Sequence, residues 1–189
     1  MMEIVYGIGL IVTNATPLGG YVEAYTNVAN KKFLGINYLI WIAIIVAAIT
    51  WFIFNMTRHG KYMYAIGGNP QAAEVAGVPV KATMILIYMK AAAMYGLAGF
   101  MLGAKAGGAS VNLGYGYEME AIAACTIGGV SVTGGRGKVS SAIIGVAVFE
   151  LLKAALQYLG VDANAQYIAI GIVIFVAISL DIRKYVAKK

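Results

Sequence analysis

The stretch Trp41–Phe54, WIAIIVAAITWFIF, carries no charged residue, and Thr50 alone interrupts its apolar run. A strand of an outer-membrane barrel alternates apolar with polar residues, because one face meets lipid and the other a wet lumen. This stretch does not alternate, so it reads as helix. Extended back to Ile36 it stays uncharged, close to the about 20 residues that cross a hydrocarbon core about 30 Å thick. The whole chain agrees: of 189 residues, 61% are hydrophobic and 12% charged, with a mean hydropathy of +0.79. A soluble domain carries about 25% charged residues. The expected class is therefore all-α, a polytopic transmembrane helical bundle.

Beyond Phe54, the basic residues Arg58 and Lys61, with His59 between them, mark a cytoplasmic helix end. The next passage, Tyr64–Val80, YAIGGNPQAAEVAGVPV, reads as one short helix with clear punctuation. Asn69 suits the N-cap and Pro70 the first helical position, Gly77 suits the residue just past the end, and Pro79 forbids continuation. Lys81 closes the loop, so this small helix is expected on the cytoplasmic side. Isolated helices under about 12 residues are marginal, so it must dock onto something. Two readings stand: packing on its own membrane domain through Ala72, Ala73, Val75 and Ala76, or insertion into a groove on a cytoplasmic partner.

From there the chain is read as crossing repeatedly. Thr83–Ala104 is a span rising outward, with Gly99, Gly103 and Gly107 at four-residue spacing. That face suits close helix approach, within the chain or at a dimer seam. Lys105–Glu120 is a Gly-rich external connection, and Ala121–Thr133 is a short or re-entrant segment ending in the cytoplasmic GGRGK. Val139–Leu159 returns outward, residues 162–164 turn, Ala165–Leu180 goes inward, and the tail DIRKYVAKK ends inside. Upstream, residues 14–35 read as a polar external loop, and MMEIVYGIGLIVTN is too short in apolar residues to span. The chain is thus expected to begin within a transmembrane helix. In all, about five to six spans or part-spans, with a re-entrant segment and a cytoplasmic coupling helix, form a single membrane domain over residues 1–189.

Charge sets the orientation. Nine of 14 basic residues (58, 61, 81, 136, 138, 183, 184, 188 and 189) fall on the assigned inside and three (31, 32 and 105) outside, while Lys90 and Lys153 lie within spans. This bias places the C-terminus in the cytoplasm. The net charge of +6 is accounted for by span ends, not by a basic stripe interleaved with aromatics, so no nucleic-acid partner is expected.

Several chemistries are excluded. Cys125 and His59 are the sole cysteine and histidine, which removes disulfide frameworks, His–Cys metal clusters and most catalytic dyads. GGRGKVS is not a P-loop: Val139 stands where Ser or Thr must hold magnesium, and Val132 where the leading glycine belongs. Gly114 and Gly116 begin a dinucleotide fingerprint that Met119 ends. No catalytic, cofactor-binding or metal residue is expected, and ATP hydrolysis by this chain is not.

Four of the ionisable residues at or within spans are candidates for a role. Glu118 and Glu120 would point apart on a helix, either as solvated acids at the external boundary or lining the entry to a transport path. Lys90 and Glu150 lie deeper, where a charge must face a partner or a cavity. They read either as a buried structural pair or as polar lining of a translocation route. No aligned series of membrane acids suggests a proton-coupled carrier.

Three stretches carry a resemblance: GKYMYAIGGNPQAAEVAGVPV, YGYEMEAIAACTIGGVSVTGGRGKV and LQYLGVDANAQYIAIGIVIFVAISLD. Together they resemble the permease subunits of bacterial ABC importers for monosaccharides, nearest to the galactose/methyl-galactoside permeases, with ribose permeases next. The resemblance runs through essentially the whole chain, most strongly from Arg58 onward. It implies an inner-membrane permease pairing with a second permease chain, a cytoplasmic ABC ATPase below and a periplasmic or extracellular sugar-binding protein above. It also implies that the short helix enters a cleft of the ATPase, with Asn69, Gln71, Ala72, Glu74 and Gly77 at the coupling surface. Two departures accompany it: members of that family have further spans N-terminal to this region, and Lys90 sits in a span expected to be neutral. The alternatives are a ribose or nucleoside permease of the same family, or a non-transporting membrane fragment of one.

Overall fold

The computed structural model describes residues 2–186; Lys188 and Lys189, used above for orientation, lie outside them. Among the described residues, α1 (Met2–Thr13) precedes a short strand β1 (Leu18–Gly19), α2 (Glu23–Asn30) and the strands β2 (Lys32–Phe33) and β3 (Ile36–Asn37). There follow α3 (Tyr38–Met56), α4 (Arg58–Gly68), α5 (Pro70–Val75), α6 (Val80–Ala106), β4 (Gly108–Ala109), α7 (Tyr117–Ile127), α8 (Val139–Tyr158) and α9 (Ala163–Val186). Four helices of the described residues are long and apolar enough to cross a membrane: α3, α6, α8 and, within α9, Asn164–Arg183. With the shorter apolar Glu3–Thr13 of α1, this is the expected all-α, polytopic class, its described residues giving four full spans and one part-span beside the short α7.

The inversion of a soluble pattern is visible on α3, where Ile40, Ile44, Ile45, Ile49 and Phe52 all point outward. Within lipid the backbone must satisfy itself, so helices carry the crossing and irregular structure stays short.

The chain divides into two units. The first runs to Ala48 and includes Leu86–Tyr115. Residues 14–35, expected as a plain loop, here hold α2 and half of a hairpin. Leu34 and Gly35, both at positive φ (53° and 80°), make the two-residue turn that joins β2 to β3. Asn37 then ties the hairpin to both flanking helices: its Nδ2 donates to Ala29 O (2.8 Å) and its Oδ1 accepts from Leu39 N (2.8 Å). The apolar content of α2 is too low to stand out in sequence. Tyr25 fixes it, packing edge-on against Phe100 and donating to the Phe100 carbonyl at 2.7 Å. A Cβ at Gly103 would meet the Tyr25 hydroxyl at 2.6 Å, so one glycine of the four-residue stripe serves packing within the chain. Gly99 faces open space.

The second unit comprises Ile49–Ile85 and the residues from Gly116 onward. Its core is Ala123, Ala124, Phe149 and Ile170, with Ile127 and Ile174 packed against it, joining α7, α8 and α9. Gly145 of α8 sits against the carbonyl of Ala124 and the backbone of Gly128, where a side chain would not fit. Helix α7 has 11 residues, about 16 Å, half a membrane crossing. It is the expected short segment, shifted: it starts at Tyr117 and stops at Ile127 rather than Thr133. The stop is a Schellman turn, with Gly129 (φ 85°) in the left-handed region and Val130 N donating to Cys125 O (2.9 Å).

Candidate coupling face and ion cluster

Helix α5 is built by its sequence almost residue by residue. Asn69 Oδ1 accepts from Gln71 N and Ala72 N, both at 3.0 Å, satisfying two of the orphan donors of the first turn. Its own N–H meanwhile closes α4 by donating to Ala65 O (3.0 Å). One residue thus ends one helix and opens the next. At the far end Gly77 takes φ 82°, Gly77 N donates to Glu74 O and Val78 N to Ala73 O, each at 3.0 Å. That is again the Schellman arrangement.

Of the four residues expected to seat α5 on its own domain, Ala73 alone is buried, at 4% exposure. Ala72, Val75 and Ala76 are exposed, Val75 at 91%. Asn69, Gln71, Ala72, Glu74 and Gly77 are exposed as well. The result is a small capped helix standing on one alanine, with the rest of its surface presented outward.

Helix α4 was not anticipated as a separate element. It begins because α3 turns a corner at Thr57, whose Oγ1 donates to Ile53 O (2.6 Å) and accepts from Gly60 N (3.2 Å). Gly60 makes the corner feasible, since a Cβ there would collide with the carbonyls of Ile53 and Phe54. At its C-terminal end, Gly67 and Gly68 lie backbone to backbone against Gly134 and Gly135 of the α7–α8 loop. Tyr64 Oη donates to Gly137 O at 2.9 Å from α4 to that same loop. The loop is held from its other side by Asp181 of α9, whose Oδ2 accepts from Ser131 Oγ (3.0 Å) and Val132 N (3.1 Å). Beside this junction lies a mostly apolar cleft of about 310 Å³, with Phe54, Met63, Tyr64, Cys125 and Val139 among its walls.

Across the unit, Lys153 of α8 gathers two of the four ionisable residues singled out from sequence. Its Nζ lies 2.7 Å from Glu120 Oε2 and 3.5 Å from Glu150 Oε1, and 6.0 Å from the Tyr117 ring centre. Glu120 and Lys153 are largely enclosed (21% and 28% exposed), whereas Glu150 is open at 61%. Glu118 is exposed, and the two acids of α7 point apart as the i,i+2 spacing requires. Lys90 is half-buried in the first unit's part of α6. No ion pair to it occurs among the described residues; the cation beside Glu150 is Lys153. The sequence reading placed Lys153 within a span but gave it no role, although its i,i+3 spacing from Glu150 was a usable signal. The partnership with Glu120 left no local signal.

Residues 2–178 match the family model described as branched-chain amino acid transport system / permease component. The chain is 40% identical to the galactose/methyl galactoside import permease protein MglC of Haemophilus influenzae, over all of this chain and 58% of that protein. The protein of the same name from Escherichia coli is 39% identical with the same coverage. The ribose import permease protein RbsC of Escherichia coli is 33% identical, over 97% of this chain and 59% of its own length. The chain therefore spans somewhat under three fifths of the relatives it matches. No solved structure matches it. Four helices fit to cross a membrane and a family match running from α1 into α9 lead to one assignment: the chain belongs to the branched-chain amino acid transport system permease family.

Proposed function

We propose that this chain is a permease subunit of an ATP-driven bacterial importer for a monosaccharide, galactose or a methyl galactoside in the first instance. It forms part of the translocation path, is not itself an enzyme, and takes its energy from a separate ABC ATPase through α5. The observation that carries the reading is the shape of α5. A six-residue helix capped at both ends, resting on Ala73 alone, leaves Gln71, Ala72, Glu74 and Val75 free for a partner. The names of the relatives at 39–40% identity support the sugar. A second permease chain completes the path, and a sugar-binding protein delivers cargo on the opposite face.

The cytoplasmic side is the one bearing α5. Arg58 and Lys61 on α4, and Arg136 and Lys138 in the α7–α8 loop, sit on segments that Tyr64 joins; Asp181 brings the basic end of α9 to the same loop. Clustering of basic residues at one end is the positive-inside signature. Ribose is the second substrate reading, favoured by the relative at 33% identity.

The test is purification from native membranes through a C-terminal tag, followed by mass spectrometry and radiolabelled galactose uptake in proteoliposomes. A co-purifying P-loop ATPase with ATP-dependent galactose uptake supports the reading. Ribose uptake in preference to galactose moves the substrate. A chain that emerges without an ATPase and transports neither overturns it.

A further inference from the structure

We infer that the contact between Gly67–Gly68 and Gly134–Gly135 is the joint through which a push on α5 reaches the membrane helices α7 and α8. The inference rests on the transport reading above and extends it from the docking surface to the path of transmission.

A push on α5 passes first to α4, because only Asn69 separates the two helices and it is hydrogen-bonded into both. At the end of α4 beside Asn69, where Gly67 and Gly68 lie, there is no side chain to yield. A Cβ at Gly135 would lie 2.6 Å from Gly68 N and 2.8 Å from Gly68 Cα, and one at Gly134 would lie 3.2 Å from Gly67 O. Side chains can change rotamer under load, whereas backbone against backbone transmits displacement with little compliance. The sequence secures this approach by placing glycines on both sides of it, and Gly134 and Gly135 take φ of 91° and 70°, where a side chain would be strained in any case.

Three hydrogen bonds keep the joint engaged from opposite sides, Tyr64 Oη donating to Gly137 O, and Ser131 Oγ and Val132 N donating to Asp181 Oδ2. The loop so gripped is the direct link between α7, which ends at Ile127, and α8, which begins at Val139. Movement of the loop is therefore movement of the α7–α8 pair that carries Glu120 and Lys153. Gly67, Tyr64, Gly135 and Asp181 are positioning residues in this scheme; none has to touch sugar or nucleotide.

The geometry supplies a matched pair of probes on adjacent residues. A Cβ on Gly67 would run into the backbone of Gly135, whereas one on Gly68 meets nothing within 4 Å. Both substitutions to alanine favour helix, so a loss specific to Gly67 reports the joint. The measurements are membrane level, ATPase co-purification, and ATP hydrolysed per galactose imported in proteoliposomes of the native assembly. Gly67→Ala is expected to keep the ATPase bound while raising ATP consumed per galactose roughly 2- to 30-fold, the span of coupling changes seen along such networks. Gly68→Ala should match the unsubstituted chain, and Tyr64→Phe should shift the ratio in the same direction by less.

Equal ratios for Gly67→Ala and Gly68→Ala overturn the inference. If Gly67→Ala fails to accumulate, Tyr64→Phe decides: an unchanged ratio overturns the joint and a raised one upholds it. Failure of the transport reading itself appears separately, as an unsubstituted chain that binds no ATPase or imports no galactose, and the joint falls with it.

Discussion

Lys153 and Glu120 meet across α8 and α7 at 2.7 Å, joining two residues 33 positions apart. The pair lies about 21 Å along α8 from its first residue, at a rise of 1.5 Å per residue, so it sits within a helix fit to cross the membrane. Charges there need partners. Removing one partner leaves an enclosed charge uncompensated, which costs more than losing the attraction itself. Lys153→Met should therefore destabilise the α7–α8 pair by about 2–4 kcal/mol, somewhat below the figure for a fully buried pair. Glu120→Gln in the same background should recover part of it. The check is a double-mutant cycle by denaturant unfolding in detergent micelles, where contacting residues couple by about 0.5–3 kcal/mol. Strictly additive losses would mean that the two side chains stabilise the fold independently.

The α5 surface gives a prediction that separates helix stability from docking. Asn69→Ala deletes the acceptor for two backbone N–H groups and should cost about 1 kcal/mol. The loss falls on a helix standing on one buried alanine, so α5 should fray while the membrane helices hold. Glu74→Lys reverses an exposed charge without touching the cap. It should abolish ATPase co-purification at unchanged membrane level. Pull-down with quantified membrane insertion checks both variants, and Glu74→Lys retaining its ATPase would remove α5 as the docking face.

Local signals were legible and distant ones were not. Asn69, Pro70, Gly77 and Pro79 each act on backbone within a few residues, so α5 could be read to its caps. The apolar runs of α3, α6, α8 and α9 are likewise properties of single segments. Thr57 was different, because threonine is no helix breaker: the α3–α4 corner depends on Gly60 fitting over two carbonyls. The paired glycines at residues 67–68 and 134–135 were visible as pairs, but nothing local says that one pair meets the other. The same holds for Asp181, which read as part of a charged tail and is the acceptor that holds a loop 49 residues away.

That acceptor role is open to direct measurement. Asp181 Oδ2 takes both the Ser131 hydroxyl and the Val132 N–H. Asp181→Ala leaves Val132 N without its carboxylate, and the loss of hydrogen bonds to a charged group should cost about 1.5–3 kcal/mol locally. Hydrogen exchange at the Val132 amide should accelerate by roughly 10- to 150-fold, the same free energy expressed as an opening equilibrium. Asp181→Asn keeps an acceptor oxygen and should fall between the two. Unchanged exchange in Asp181→Ala would mean that Gly134, Gly135 and Tyr64 hold the loop without α9.

Orientation is the last expectation, and it follows from which residues share an end. Arg58, Lys61, Arg136 and Lys138 lie on two segments that Tyr64 bonds together, and Asp181 bonds the second of them to the end of α9. Six basic residues, Arg58 and Lys61 of α4, Arg136 and Lys138 of the loop, and Arg183 and Lys184 of α9, would have to be translocated if that end faced outward, against the positive-inside bias. A reporter fused after Lys189 should therefore be active only in a format that works in the cytoplasm. A second assay uses the sole cysteine: with Cys125→Ser as background, Lys138→Cys should react with a membrane-impermeant maleimide only in inside-out vesicles. Labelling of Lys138→Cys in intact cells, with an active periplasmic fusion, would invert the topology and move α5 to the side where no ATPase exists.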